Sequence, residues 1–561
     1  MSYLRIGPLV RATNTTSAVI WAEFSHPCAV LLSAQPLDRT AVTQIDSIHV
    51  HTHTVTIGGR FYIAPQLQGL QPATWYTYWL SLVTQIESNE QTERLGKQFV
   101  FCFRTMNAVD EQNTLEPLRL VYGSCRKFVV PQIDALSAFG RWLQEHSEQR
   151  ETVWPHLLLL LGDQIYADHP PEEVQQQYPQ LSDGATTFED FALLYEYAWT
   201  QDNDVRRVFA CIPTYMMYDD HEIVNNWNIT PQWYTTMLQT GRQQVLVDGL
   251  IAYWVYQGWG NLVQRQNTQY PLLQVMQGAE RSGEDILEVL RFHIRREVCG
   301  EDTGHWHYEI QTTPSIFVLN TRSERTTIFT DQQDDIYGPT RIISQAQMQE
   351  LTTWMQEHDT SPSLLASSVP ILLPPAIGLA EYIMGIRLWE QRIRWLGRRV
   401  ARIQQRFALR TSLEHWPIFS QTWNEFIQVF TKRHHDLFVL SGDVHFSYAA
   451  EARQIFAKTT KARLIQLVSS PLQNTLGKQS ERLVKRQAHI TRLIYGGLNT
   501  RILQLRIPDT KKRIQCDMLF QNTLAYLTLT PDETKMYKVQ QEYFGVIDGQ
   551  LQRVGYTVLP E

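Results

Sequence analysis

The sequence predicts an α/β protein with an all-β domain in front of it. Three observations carry this expectation. At 561 residues the chain exceeds what a single hydrophobic core organises, so two or three domains are expected. Residues 1–105 show strand patterns only. From residue 118 onward, apolar strand-like runs alternate with helical stretches, the pattern of a largely buried sheet flanked by helices.

In the first 105 residues the strands are "AVIWAEF" (18–24), "HTVTI" (53–57), "WYTYWLSLV" (75–83) and "QFVFCFRT" (98–105). All are rich in β-branched and aromatic residues, with turn residues between them. "LQGLQPATWYTYWLSL" resembles the leucine-proline-tyrosine corner of fibronectin type III and related immunoglobulin-like sandwiches, with Tyr78 as the corner or core residue. Residues 106–117, polar and without period, read as a linker. A larger domain is expected over 118–500, followed by a strand-rich extension over 501–561. Its strands are expected at 118–123, 156–161, 214–218, 315–320, 363–368, 437–442 and 462–470. Helical stretches are expected at 133–148, 187–199, 242–257, 343–357 and about 377–409.

Composition narrows the class. Apolar residues make up 43%, charged residues 19% and the formal net charge is −7, which gives no basic domain for nucleic acid to bind. The amino terminus lacks a charged stretch followed by an apolar run and lacks a twin-arginine pair, so the cytoplasm is the expected location. Six cysteines, at 28, 102, 125, 211, 299 and 516, form no spaced framework and are expected to be reduced. "LLASSVPILLPPAIGLAEYIMG" (364–385) is apolar, but Pro370, Pro374, Pro375 and Glu381 break it. A bilayer helix needs roughly 20 clean apolar residues. It reads instead as a core strand, a proline-stiffened loop and the start of a helix.

The chemistry lies just past the strands. The first gives Gly123-Ser124-Cys125-Arg126; the leucine run 157–161 gives Gly162-Asp163-Gln164-Ile165-Tyr166. "TYMMY" gives Asp219, Asp220, His221 and Glu222, with Asn225, Asn226 and Trp227 close behind; "LFVLS" gives Gly442, Asp443, Val444 and His445. In open α/β sheets ligands bind beyond the carboxyl ends of the strands. One acid after a strand usually caps a helix or closes a turn. Several carboxylates gathered together repel and pay for desolvation unless a cation neutralises them, so this set implies metal. Carboxylates with imidazole suit divalent metals, and a phenolate with a thiolate suits a harder trivalent ion such as ferric iron. The ligand count favours two metals, a pair that supplies hydroxide for in-line attack on phosphorus.

"GSC", "GDQIYAD", "YDDHEIVNNW" and "SGDVHFS", in that order, resemble the PhoD-like (alkaline phosphatase D) branch of the calcineurin-like metallophosphatases. "LNTRSERT" and "IQLVSSPLQNT" extend the resemblance, which covers about residues 1–480. It implies a four-layer αββα core behind an N-terminal sandwich. It also implies hydrolysis of phosphomonoesters or phosphodiesters at a dinuclear or larger centre of ferric iron with calcium, other divalent metals being alternatives. Carried onto this chain, Asp163 bridges the metals, and Cys125, Tyr166 and Asp443 lie on the iron side. Asp220 stands where most metallophosphatases have asparagine, and His445 is the last ligand. His221 is the unligated histidine that stabilises developing charge or protonates the leaving oxygen. Asp219, Asn225, Asn226, Arg126 and Arg322 are further candidates for metal or substrate, and Arg325 is a weaker phosphate donor. Ser367 and Ser368 stand where the wider superfamily often has histidine, and Asn320 stands in place of an acid.

Rival readings were weighed on the same residues. A cysteine phosphatase loop needs an arginine six positions after Cys125, where Pro131 stands. His169, His305, His307, His434 and His435 are expected to be packed, solvent-facing or on the rim. The stretch 386–407 is a basic amphipathic helix within an insertion at about 376–410. Contact with an anionic membrane surface through it would favour a phospholipase-type diesterase. A catalytically silent protein that binds metal or phosphate is the remaining alternative. Oligomeric state has no sequence signal.

Overall fold

The computed structural model describes residues 2–37, 47–86, 89–94, 101–108, 116–227, 237–262, 270–301, 304, 306–325, 340–386, 399–400, 403, 414–455, 462–487, 489–507, 517–532 and 537–559. The expected linker is thus described only at its two ends. Of the basic stretch 386–407, residues 387–398, 401–402 and 404–407 lie outside the described residues, as does His305.

The first hundred residues form two antiparallel five-stranded sheets. One is built on Leu4–Thr13 and Ser17–Phe24, the other on Ala29–Pro36 and Trp75–Ile86. Val10, Ile20, Val30, Leu32, Tyr78 and Phe103 pack in one cluster between them, as expected of a β-sandwich. The corner is shared between two tyrosines. Tyr76 makes the local bond, its hydroxyl accepting from the Gln71 amide at 2.8 Å. Tyr78 is the core residue and reaches outward, donating to the Ala210 carbonyl at 2.9 Å in the following domain.

The larger domain holds two sheets. Strands Leu118–Gly123, Leu157–Leu161 and Thr214–Met217 pair in parallel. Thr523–Pro531 joins antiparallel to the first of them, so the tail extends this sheet to six strands. Ile316–Val318, Ser363–Ser367, Leu437–Ser441 and Leu464–Val468 form the parallel part of a nine-stranded sheet. Its pleat sorts the side chains. Leu364, Ala366, Phe438 and Leu440 join the core shared with the leucine strand. Leu365, Val439 and Leu437 turn to the other side, against Leu351, Trp354, Trp423 and Phe426 of two outer helices. The layers therefore run αββα, and both faces of each strand are covered. That is why these strands read as unbroken apolar runs.

The apolar segment 364–385 resolves into strand Ser363–Ser367, a proline loop and helix Pro375–Gly385. Among the described residues no helix is long and apolar enough to cross a membrane. The sandwich is keyed into the larger domain. Arg11 donates to the Asn261 side chain at 2.8 Å, and Trp21 donates to the Val255 carbonyl at 2.9 Å.

Candidate metal centre

The strand ends converge. Cys125, Asp163 and His445 offer donor atoms within 4.8 Å of one another; so do Asp163, Asp220 and His221, and so do Asp219, Asp220 and Asp443. The backbone delivers them under strain. Eight described non-glycine residues have φ between +49° and +67°, and five of them are Cys125, Asp163, Asn226, Asp443 and His445. Left-handed backbone at such residues persists only where the surroundings impose it, and it clusters at functional sites. Gly162, at φ +106°, allows the turn: a Cβ there would lie 2.5 Å from the Asp219 Cβ.

Glu222 organises the two central loops. Its carboxylate accepts from the amides of Asp163 at 2.9 Å, Gln164 at 2.6 Å and Asp219 at 2.7 Å. The loops of the second and third strands are thereby fixed together. Asp220 is fixed in turn by the Asn226 amide at 2.7 Å. Tyr166 lies beside the group, its hydroxyl accepting from Asn474 at 2.7 Å, while Asn474 also stands 3.4 Å from the His445 ring.

His221 is oriented for proton work. Its Nδ1 is 2.8 Å from Asp168, and its ring packs 4.4 Å from that of Tyr166. This leaves Nε2 to the site. Burial opposes its charge, but Asp220, Asp168 and Asp163 raise it to about 10. Burial lowers His445 to about 4, against the pull of Asp443, and so keeps the neutral imidazole that a metal takes.

The donor set fits metal. Burial and the charges of Asp163 and Asp443 push the Cys125 thiol well up, and burial with the Cys125 and Asp163 charges does the same to the Tyr166 phenol. Such a cluster resists ionising alone, and a bound cation reverses that balance. Two buried acceptors here, Asp219 Oδ2 and Asn226 Oδ1, have no hydrogen-bond partner among the described residues. Cys125, Asp163, Asp219, Asp220, Asp443 and His445 could hold the group, with Tyr166 beside them and Asn226 at its edge. Asn225 stands beside His221 instead, its amide donating to Asp168 at 2.9 Å.

Each of the candidate arginines is paired with a buried carboxylate. Arg126 is buried with its Nε 2.7 Å from Asp134, away from the rim. Arg322 is fully buried, bonded to Asp219 and Glu414, and 3.6 Å from both Asp220 and Asp443. It supports carboxylates rather than facing a substrate. Arg325 shares Glu414 with it at 2.8 Å. Ser368, in the place of a superfamily histidine, donates to Asp219 at 2.9 Å. Sequence reasoning assigned no role to Glu222, Asp168, Asn474, Glu381 or His415. Glu222 and Asp168 stood inside quoted motifs, whereas nothing local marks His415.

Known proteins resemble the chain at the level of family and fold. A family described as PhoD-like phosphatase matches residues 120–499, and a domain of unknown function, DUF7800, matches residues 1–95. A solved structure of PhoD aligns over 98% of this chain and 88% of its own, with a TM-score of 0.55 and 13% identity, a likeness of fold. Two others carry no argument. The sensor domain of the anti-sigma factor RsgI4 from Pseudobacteroides cellulosolvens aligns over 19% of this chain and 96% of its own, at 16% identity and a TM-score of 0.11. A Paenibacillus cycloisomaltooligosaccharide glucanotransferase aligns over 66% of this chain and 54% of its own, at 10% identity and a TM-score of 0.16. No curated protein matches.

Proposed function

The chain belongs to the PhoD-like phosphatase family, and from that premise we propose that it is a metal-dependent phosphoesterase whose centre holds ferric iron with calcium or another divalent ion. The carrying observation is the convergence of Cys125, Asp163, Asp219, Asp220, Asp443 and His445 at the strand ends in groups within 4.8 Å. When bound, the metals supply the nucleophile and neutralise phosphoryl charge. The chain does the rest. Asp163, whose amide is held by Glu222 and which belongs to two donor groups, would be the ligand shared between the metals. Cys125 and Tyr166 form the thiolate and phenolate side. His221, held by Asp168, gives its Nε2 proton to the leaving oxygen. Cys125 is not the nucleophile of this reading, because its buried thiol is pushed up and no arginine follows six positions on.

Metal analysis of the unsupplemented protein, together with turnover of nitrophenyl phosphate and of its bis-nitrophenyl diester, tests the proposal. Iron with a second metal, a violet or pink phenolate band and hydrolysis of either ester are expected. Metal-free protein that hydrolyses either ester as fast would overturn it.

A further inference from the structure

Glu381 lies in the apolar helix Pro375–Gly385 and is completely buried. A carboxylate there is strongly disfavoured unless it is paired. Its partner is His415, whose Nδ1 is 2.6 Å from Glu381 Oε1. The other ring nitrogen, Nε2, is 3.1 Å from Asp443 Oδ2. Both ring nitrogens lie within hydrogen-bond reach of a carboxylate oxygen.

We propose that Glu381 and His415 are positioning residues that clamp Oδ2 of Asp443, leaving Oδ1 as the single oxygen this residue offers the metal centre. This rests on the metal-centre reading above. The arrangement has the order of a ligand support: a buried acid orients an imidazole, and the imidazole orients a carboxylate. Asp443 needs support, since its backbone is left-handed at φ +67° and its amide is tied to Ser124 Oγ at 3.1 Å. The clamp also continues on the preceding residue. Glu414, directly before His415, takes the buried guanidiniums of Arg322 and Arg325. Arg322 in turn stands 3.6 Å from Asp443 Oδ1. A clamp from one side and a guanidinium near the other oxygen leave Asp443 one direction in which to bind.

The alternative is an ion pair that only stabilises the fold. Chelator-stripped protein titrated with Mn2+ alone by calorimetry separates the two, with apo-protein melting recorded for each variant. Removing a partner behind a ligand weakens metal affinity about 10–100-fold. His415→Gln and Glu381→Gln, which preserve shape and enter the pair from opposite ends, should each raise the Mn2+ Kd by that factor. In an Asp443→Asn background, His415→Gln should add nothing further. A Kd within twofold of the parent in both single variants, or an undiminished effect of His415→Gln beside Asp443→Asn, would overturn the clamp. If the parent protein takes up no Mn2+, the metal-centre reading falls with it.

Discussion

At the seam between sandwich and larger domain, buried Glu23 and Arg60 are answered by neighbouring charge. Arg60 Nη1 meets Glu23 at 2.6 Å and Glu196 at 3.0 Å, and its Nε meets Glu189 at 2.8 Å. The Tyr256 hydroxyl donates to Glu23 at 3.1 Å. At the strand-end rim the balance differs. Asp163, Asp219, Asp220, Asp443 and the Cys125 thiol gather within short reach, and the guanidinium among them, Arg322, reaches Asp219, Asp220 and Asp443. A balanced buried network joins two bodies. An unbalanced one calls for a cation the chain does not carry, which is what marks the rim, and not the seam, as the proposed site.

That contrast can be broken from either side. The largest effect is expected from Asp163→Asn. Losing the metals' share of transition-state stabilisation, several kcal/mol, lowers turnover on the order of 10³-fold or more. Apo-protein melting should hold or rise, because an unanswered buried charge is gone; wild-type turnover from this variant would remove Asp163 from the centre. At the seam the same kind of change acts on stability. Arg60→Ala leaves Glu23 without its closest cation, and denaturant unfolding should show a loss of about 3–5 kcal/mol with kcat unchanged. Returning to the rim, His221→Ala should lower kcat about 10²-fold with metal content intact, since the proton donor and not a ligand is removed. Loss of metal in that variant would recast His221 as a ligand.

The smallest effect sharpens the comparison by pH alone. Against burial, Glu324 and Glu350 raise His307 to about 9 from an ordinary 6.5. Despite burial, His307 holds Glu324 below its ordinary 4.5. The histidine's contribution is full below pH 6.5 and is lost as pH rises through about 9, and the acid's is lost as pH falls below 4.5. Glu350 is 54% exposed and screened, so about 1–2 kcal/mol is expected. The stability difference between wild type and His307→Gln should therefore peak near pH 5–6.5 and shrink on either side. A flat difference would remove the pair's charge from the account.

Much of this was legible along the chain. "LLLLLGDQIYAD" announced both a doubly covered strand and the acid and phenol at its end, because burial and turn chemistry are local. Arg126 was harder: one residue past Cys125 it looked like a phosphate donor, yet it pairs with Asp134 of the helix that follows. Glu381 was read as a charge that spoils an apolar segment, and His415 carried no motif. Their pairing joins positions 34 apart and reaches Asp443 in a third loop.

By itself the sequence determined the period of each strand, the turn glycines and the chemical type of every donor, since these depend on neighbours one to four residues away. Tertiary structure alone decided which charges would be answered within the protein and which left open. Coulomb interaction and desolvation depend on distance through space, and only the folded sheets bring residues 23, 60, 163, 322 and 443 to their partners.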